Sequence, residues 1–546
     1  MINRSELLTK LGTWRWPFPR RARKPAAPLV LGGYTQQQRR RRRRFIASAT
    51  LALISLFYGL VVGATGTIFL MQLLLLPAFA AFLVLWLLPE TDNPSPRLVE
   101  VLFFVYLGGA MLWPDYLAIA LPGLPWITMG RITAIPLAIF YISSLSQSRH
   151  YRAEIKAVLA EVPVIWKAMA IFAAVAAFSV LVSDKPFASA NRLFVAAYAW
   201  VMIFFIASHV FRRPGTATIF CYLVWASTIV ICIIAVMEVR RQAIPWAGHI
   251  PNFLKIEDEA VQRMLSPKVR GSTGVFRAQT KFASPLSMSE FLALSAPFIM
   301  HIAAYHKNVV ARIAAVCTIP PLIWAIAKTD ARLGMIGLMF ASLLFILAWA
   351  VMRMRQRKDS LLAPVVVLGY PLGFAAFIAA SFAIQRLKNI VWGSSAYSDS
   401  NQGRIDQVNK GLPMILERPW GYGIGRSGET LGFTNPAGMI TIDNYMLSLA
   451  LELGLIGLAA FVIMFAWAAL TGAKEISRTY DFESSLLVPA AITLVNFLII
   501  KTVLSQLENL TLFFAVLGLT VALIYRVREH TRRAAGQLPQ EAAIAP

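Results

Sequence analysis

Gly403 to Phe433 reads GRIDQVNKGLPMILERPWGYGIGRSGETLGF, and Asp443 to Leu458, shortly after it, reads DNYMLSLALELGLIGL. A polar stretch studded with arginines therefore runs into an apolar one. Lipid cannot satisfy free peptide groups, so the first must lie in water or against protein and the second enters the membrane as a helix. Most of the chain is of the second kind. Its 546 residues are 58% hydrophobic and 14% charged, with a mean hydropathy of +0.62, whereas soluble domains carry about 25% charged residues. Apolar runs of the roughly 20 residues needed to cross a bilayer recur along nearly the whole length. The expected fold is all-α, a single polytopic membrane helix bundle.

Reading spans by hydrophobic length gives about fourteen transmembrane helices. They start near Phe45, Thr67, Leu98, Arg131, Ile165, Leu193, Thr216, Ser284, Val309, Leu333, Leu361, Asp443, Ser485 and Thr511. The run Arg39 to Arg44 abuts the first span and fixes the preceding tail inside, as a signal-anchor rather than a cleaved signal peptide. That tail reads as a disordered arm on anionic lipid. Alternating from there puts RHYRAEIK (149–156), FRRP (211–214), YHKNVVAR (305–312), RMRQRK (353–358), GAKEISR (472–478) and both termini on one side. About thirty-two Lys and Arg fall on that side and about eighteen on the other, which agrees with the positive-inside bias. The net charge of +25 is thus a matter of topology, not of nucleic-acid binding.

The resulting organisation is a basic tail 1–44, transmembrane helices 45–237, an outer loop 238–283, transmembrane helices 284–384, a large outer loop 385–442, transmembrane helices 443–526 and an inner tail 527–546. Both outer loops are basic. The first carries Arg240, Arg241, Lys255, Arg263, Lys268, Arg270, Arg277 and Lys281 against Glu238, Glu257, Asp258 and Glu259; the second carries Arg386, Lys388, Arg404, Lys410, Arg418 and Arg426 against Asp399, Asp406, Glu417 and Glu429. Cations in outer loops run against the topological bias, which suggests an anionic ligand at the outer surface; loops of this length also partly escape that bias. Arg131, Lys328, Arg332, Glu290 and Lys501 fall near the outer ends of their spans, where each side chain alone can snorkel to the headgroups. Little ionisable chemistry is left at mid-depth, where ion-coupled transporters keep theirs.

The six histidines show no HxxxH or HExxH spacing and no Cys partners at zinc-ligand intervals, so no protein-bound metal or other cofactor is expected. Cys221, Cys232 and Cys317 lie in apolar runs, and the first two would sit roughly 16 Å apart on one helix, too far for a disulfide. Gly423 and Gly425 neither follow a strand nor open a nucleotide-binding helix, so tight turns and close backbone approach account for them. Glu452 lies about 13 Å deeper than Asp443 and reads as a hydrogen-bonded structural carboxylate. Trp392, Trp420 and Tyr422 suit stacking on sugar rings and, equally, anchoring at the membrane surface.

Four segments give the chain a resemblance to the O-antigen ligase and O-antigen polymerase superfamily of bacterial envelope glycosyltransferases. GRIDQVNKGLPMILERPWGYGIG resembles that family's Arg, amphipathic stretch and Pro followed by a Gly-x-Gly turn. DNYMLSLALELGLIGL is similar to the segment opening its next helix, where His-Asn, Glu-Leu-Gly and Gly-Leu are usual. RGSTGVFRAQTKFASPLSMSEFLALSAPF (270–298) resembles its Arg, Gly-x-Phe and small-residue helix entry, and KTDARLGMIGLM (328–339) its Ser/Thr-x-x-Arg hairpin. Together they span 270–458 in the family's usual order.

The resemblance implies a multi-pass protein of the bacterial inner membrane that transfers a polyprenyl-pyrophosphate-linked glycan to an acceptor hydroxyl at the periplasmic face. The acceptor is a second lipid-linked glycan in polymerases and lipid A core in ligases; membrane lipids are the other partners. A diphosphate leaving group accumulates negative charge that arginine forks stabilise without a metal. Arg270, Arg332 and Arg404 match the family's arginines best; Arg277, Arg418 and Arg426 suit substrate contacts or loop salt bridges, and Asn444 follows the position of the base. Where the family usually has His, this chain has Asp443. A carboxylate serves as base if burial raises its pKa, while nearby arginines lower it; Asp443 equally suits capping of the helix that begins there. The alternative, a flippase or exporter of lipid-linked oligosaccharide, would place its cations along a mid-depth path.

Overall fold

The computed structural model describes residues 84, 96–120, 126–256, 258–269, 274–356, 361–384, 388, 398–434, 438 and 440–536. All of them belong to one compact unit, Ala81–Pro546. The basic tail, the helices expected from Phe45 and Thr67, Arg270, Arg386 and Trp392 lie outside the described residues.

The elements run α1 (Pro96–Leu112), β1 (Ala118–Ile119), β2 (Ile127–Thr128), α2 (Met129–Gln147), α3 (Arg149–Ala160), α4 (Pro163–Leu181), α5 (Pro186–Val210), α6 (Thr216–Arg241), α7 (Glu259–Leu265), α8 (Pro285–Tyr305), α9 (Val309–Lys328), α10 (Arg332–Gln356), α11 (Leu362–Ala383), α12 (Ser398–Glu417), α13 (Ser427–Leu431), α14 (Tyr445–Glu475), α15 (Leu487–Lys501) and α16 (Leu510–Ala534). Among the described residues eleven helices are long and apolar enough to cross a membrane. The two strands form a two-residue antiparallel hairpin, with Ala118 opposite Thr128.

Local sequence sets the helix starts. Prolines stand in the first turn of α4, α5 and α8, where a missing N–H costs nothing. Ser284 caps α8 by accepting from Ser287 N at 3.2 Å, and Asn308 caps α9 by accepting from Val310 N at 2.8 Å. The chain from Leu510 to Val527 is buried on nearly every face and forms the centre of the bundle. Lipid is as apolar as leucine, so helix association rests on close packing through small residues. A Cβ on Gly518 of α16 would stand 2.5 Å from Ala207 Cβ of α5, and one on Gly334 of α10 would stand 2.5 Å from Ser289 Cβ of α8.

Two expectations change. The loop 385–442, read as irregular backbone, contains the twenty-residue helix α12 and the short α13. Helix forms because Gln407, Gly411 and Ile415, spaced by four, share the face that packs on α14; a Cβ on Gly411 would come 2.8 Å from Leu447 Cδ1. The last helix also continues past the expected boundary at 526 to Ala534, since its arginines find carboxylates. Arg526 pairs with Glu483 at 2.9 Å, Arg528 with Glu475 at 2.8 Å, and Arg532 with Glu161.

Candidate functional site

The two long connections leave the bundle at the end where α1, α4, α6, α9, α11 and α15 finish and α2, α5, α8, α10, α14 and α16 begin. At that end α14 is interrupted. Gly454 adopts φ 67° and ψ −174°, a region open essentially to glycine alone. The break frees helix carbonyls, and the turn Pro419–Gly425 binds them. Tyr422 N donates to Leu451 O at 2.8 Å, Gly423 N donates to Glu452 O at 3.1 Å, and Leu455 N donates back to Pro419 O at 2.9 Å. Gly421 has φ +92°, and a Cβ there would stand 2.5 Å from Glu452 O. Non-helical backbone at this depth persists because protein groups saturate it. Glu452 is structural: its Oε1 accepts from Ser427 Oγ at 2.7 Å and from Ser448 Oγ at 3.4 Å.

Above this junction α12 places its polar residues over the start of α14. Gln407 Oε1 accepts from Asp443 N at 2.9 Å, and Arg404, one turn earlier, faces the Asp443 carboxylate. Burial pushes the Asp443 carboxyl above the ordinary carboxylate range, and Arg404 offsets only part of that rise. The helix cap is Asn444, whose Oδ1 accepts from Leu447 N at 3.1 Å. Asp443 is therefore not the cap of α14.

The other motif arginines divide. Arg277 Nε donates to Thr329 O at 2.9 Å, and Ala278 N donates to Lys328 O at 3.0 Å; this joins the 270–298 segment to the α9–α10 turn, and Arg332 opens α10 just beyond it. Arg426 pairs with Glu429, which also holds Lys185 at 3.0 Å. Arg418 lies 5.0 Å above the Tyr422 ring. Both of these brace the loop. Glu290 and Lys501 form a fully buried ion pair at 2.8 Å, with Asn509 Nδ2 donating to Glu290 at 2.9 Å and Lys501 5.5 Å from the Tyr445 ring. Snorkelling does not describe that pair, because neither charge reaches the surface. Among the described residues no three His, Cys, Asp or Glu side chains are placed to hold a metal ion.

Residues 313–462, from α9 through the first half of α14, match the O-antigen ligase family. The match supports the O-antigen ligase and polymerase superfamily. An O-antigen polymerase of Salmonella muenchen is 37% identical over 73 residues, which are 13% of this chain and 18% of that protein. The aligned part thus spans under a fifth of that relative's length.

Beside the family segment, and outside it in sequence, lies a cavity of about 520 Å³. Tyr106, Asp115, Trp126, Arg131, Arg192, Tyr198, Trp200 and Glu508 are among its lining residues. Arg192 connects it to the junction, for a Cβ on Gly425 would meet Arg192 Cγ at 2.8 Å. Sequence reasoning noted Arg131 and passed over Arg192, Asp115 and Glu508. The available signal was Arg192 itself, an ionisable residue in an apolar run, which is a functional-site hypothesis by default.

Proposed function

We propose that this protein is a glycosyltransferase of the O-antigen ligase and polymerase type, transferring a polyprenyl-diphosphate-linked glycan to an acceptor glycan hydroxyl. It would act at the periplasmic face of the bacterial inner membrane, with both termini in the cytoplasm. One observation carries this reading: a partly buried carboxylate of raised basicity, Asp443, beside a guanidinium, Arg404, where the family's motifs converge.

In this reaction the acceptor oxygen attacks the anomeric carbon of the donor glycan. Its proton passes to Asp443, the bond from that carbon to the diphosphate oxygen breaks, and polyprenyl diphosphate leaves with the electron pair. Attack opposite the leaving group inverts the anomeric centre. A carboxylate above its usual pKa is the stronger base, and proton transfer in the transition state is worth about 10²–10⁴-fold. Arg404, Arg332 and Arg270 would take the charge on the departing diphosphate, with Arg277 holding the α9–α10 turn that presents Arg332. Arginine forks match phosphate oxygens in pairs and need no reorganisation as charge develops.

The test is conversion of a defined polyprenyl-diphosphate glycan and acceptor by the purified protein, read by mass spectrometry. Asp443→Asn and Arg404→Ala are expected to lose product formation while keeping the wild-type melting midpoint. Full activity in both variants refutes the assignment. Movement of chemically unchanged lipid across the bilayer, without product, would make the protein a flippase instead.

A further inference from the structure

The cavity next to the motif junction has the composition of a binding site for an anionic glycan end. We propose that Arg131 and Arg192 bind the diphosphate of a polyprenyl-linked glycan in this cavity, with Trp126 facing its first sugar, as a substrate site additional to the Arg404–Asp443 pair. The glycan part of this assignment rests on the function proposed above; the diphosphate part rests on the cavity alone.

Four observations converge. Both guanidinium groups line one void of about 520 Å³, within the roughly 300–1,000 Å³ typical of small-ligand sites. Arg192 Nη2 is buried and has no hydrogen-bond partner among the described residues, a costly state for a charged donor that an anionic acceptor relieves. Arg131 spends one donor on Trp126 O at 2.7 Å and another on Tyr198, which fixes its plane and leaves further donors of the fork. The third observation is local backbone. α5 contains a π-helical turn, Ala197–Val201, at the cavity wall. Such turns add a residue and turn neighbouring side chains onto one face, often at functional sites. Here Tyr198, Ala199 and Trp200 all line the void.

The fourth is charge distribution. Asp115 and Glu508 also line the cavity, but both interact with buried Lys281, and among the described residues neither Arg131 nor Arg192 forms an ion pair with them. Two guanidinium groups around one void repel each other until an anion stands between them. Planar forks favour phosphate, and a diphosphate offers one phosphate to each. The carboxylates of the same cavity suit sugar hydroxyls, and the exposed Trp126 indole suits the face of a sugar ring, while buried Trp200 stacks on Phe514 and carries Arg192 5.5 Å over its ring.

The experiment titrates the full-length protein, in lipid nanodiscs, with polyprenyl diphosphate, inorganic pyrophosphate and polyprenyl monophosphate. Tryptophan emission is the readout, since Trp126 and Trp200 line the site. Polyprenyl diphosphate is expected to bind. Arg192→Ala and Arg131→Ala should each weaken it at least about tenfold, as for loss of one partner of a hydrogen-bonded charge pair, and Arg192→Lys should weaken it less than Arg192→Ala. Arg404→Ala should leave a full binding step that Arg192→Ala removes. Matching affinity for inorganic pyrophosphate would locate recognition in the headgroup, and much weaker affinity would add the lipid to it; the arginine dependence supports the proposal in both cases. Should Arg192→Ala fail to fold, Arg131→Ala and Arg192→Lys decide.

Wild-type affinity in the Arg131 and Arg192 variants overturns the proposal, as does binding abolished by Arg404→Ala alone. Arginine-dependent binding by a protein that forms no glycosidic product would instead sink the proposed function and leave the diphosphate site standing.

Discussion

Replacing Gly454 with alanine strikes the feature that joins two of the family-like segments. The glycine sits at φ 67° and ψ −174°, and holding alanine there costs about 1–3 kcal/mol. The added methyl would also collide with the Pro419 carbonyl oxygen and approach the Trp420 carbonyl carbon to 2.6 Å, an overpacking cost of about 1–3 kcal/mol. Relief by ejecting the turn forfeits the bonds of Tyr422 N, Gly423 N and Leu455 N, each worth about 0.5–1.5 kcal/mol net. Either route costs at least about 1.5 kcal/mol, a large fraction of a typical stability. The control is Gly373→Ala in α11, where a Cβ meets nothing within 4 Å. Thermal unfolding of the two variants in one detergent is the assay. Gly454→Ala should unfold several degrees below wild type, with Gly373→Ala close to it. Equal midpoints for both variants would show that the interruption of α14 does not bear the turn, and the account of the junction would fall.

Asp443 gives a pH prediction. Burial holds its carboxyl above the ordinary 3.8, so turnover should fall as pH drops through that raised value, and the carboxyl itself, followed by infrared difference spectroscopy rather than by turnover, should titrate higher still in Arg404→Gln, which removes the cation that lowers it. A carboxyl raised on folding contributes stability that is fully present below its unfolded pKa and is lost as pH rises through the folded one. Asp443→Asn should therefore melt no lower than wild type at neutral pH, and a marked drop would contradict the burial argument. Glu290→Ala or Lys501→Ala alone should each cost about 3–5 kcal/mol by stranding a buried charge, whereas the double change to Leu and Met should cost less than either, measured by thermal unfolding. Arg426→Ala should lower the thermal midpoint more than Glu429→Ala does, because Glu429 is exposed and adds little as an ion-pair partner, whereas the Arg426 stem is buried and its packing is lost.

The membrane architecture was legible because span length is a one-dimensional signal. Expected starts at Thr216 and Val309 coincide with those observed, and Ser284, Leu333, Leu361, Ser485 and Thr511 fall within a residue or two of theirs. Leu193 came late because Arg192 and Asn191 broke the apolar run, although α5 begins at Pro186. What escaped was everything decided by partners distant in sequence. DNYMLSLALELGLIGL reads as one continuous span; only the docking of Pro419–Gly425 against it shows why Gly454 breaks the helix. Glu290 and Lys501 looked like separate end charges until α8 and α15 brought them to 2.8 Å. α12 was hidden because its inward face carries Gln407 and Gly411 as well as Ile415, which makes a weak hydrophobic pattern. The balance at Asp443 was open because burial cannot be read from neighbours in the chain.

The most direct test of the central claim is the fate of a radiolabelled polyprenyl-diphosphate glycan incubated with purified protein and acceptor. The account predicts a new glycosidic product and stoichiometric release of polyprenyl diphosphate by wild type, and neither by Asp443→Asn at unchanged folding. Product formed by Asp443→Asn at the wild-type rate would contradict it.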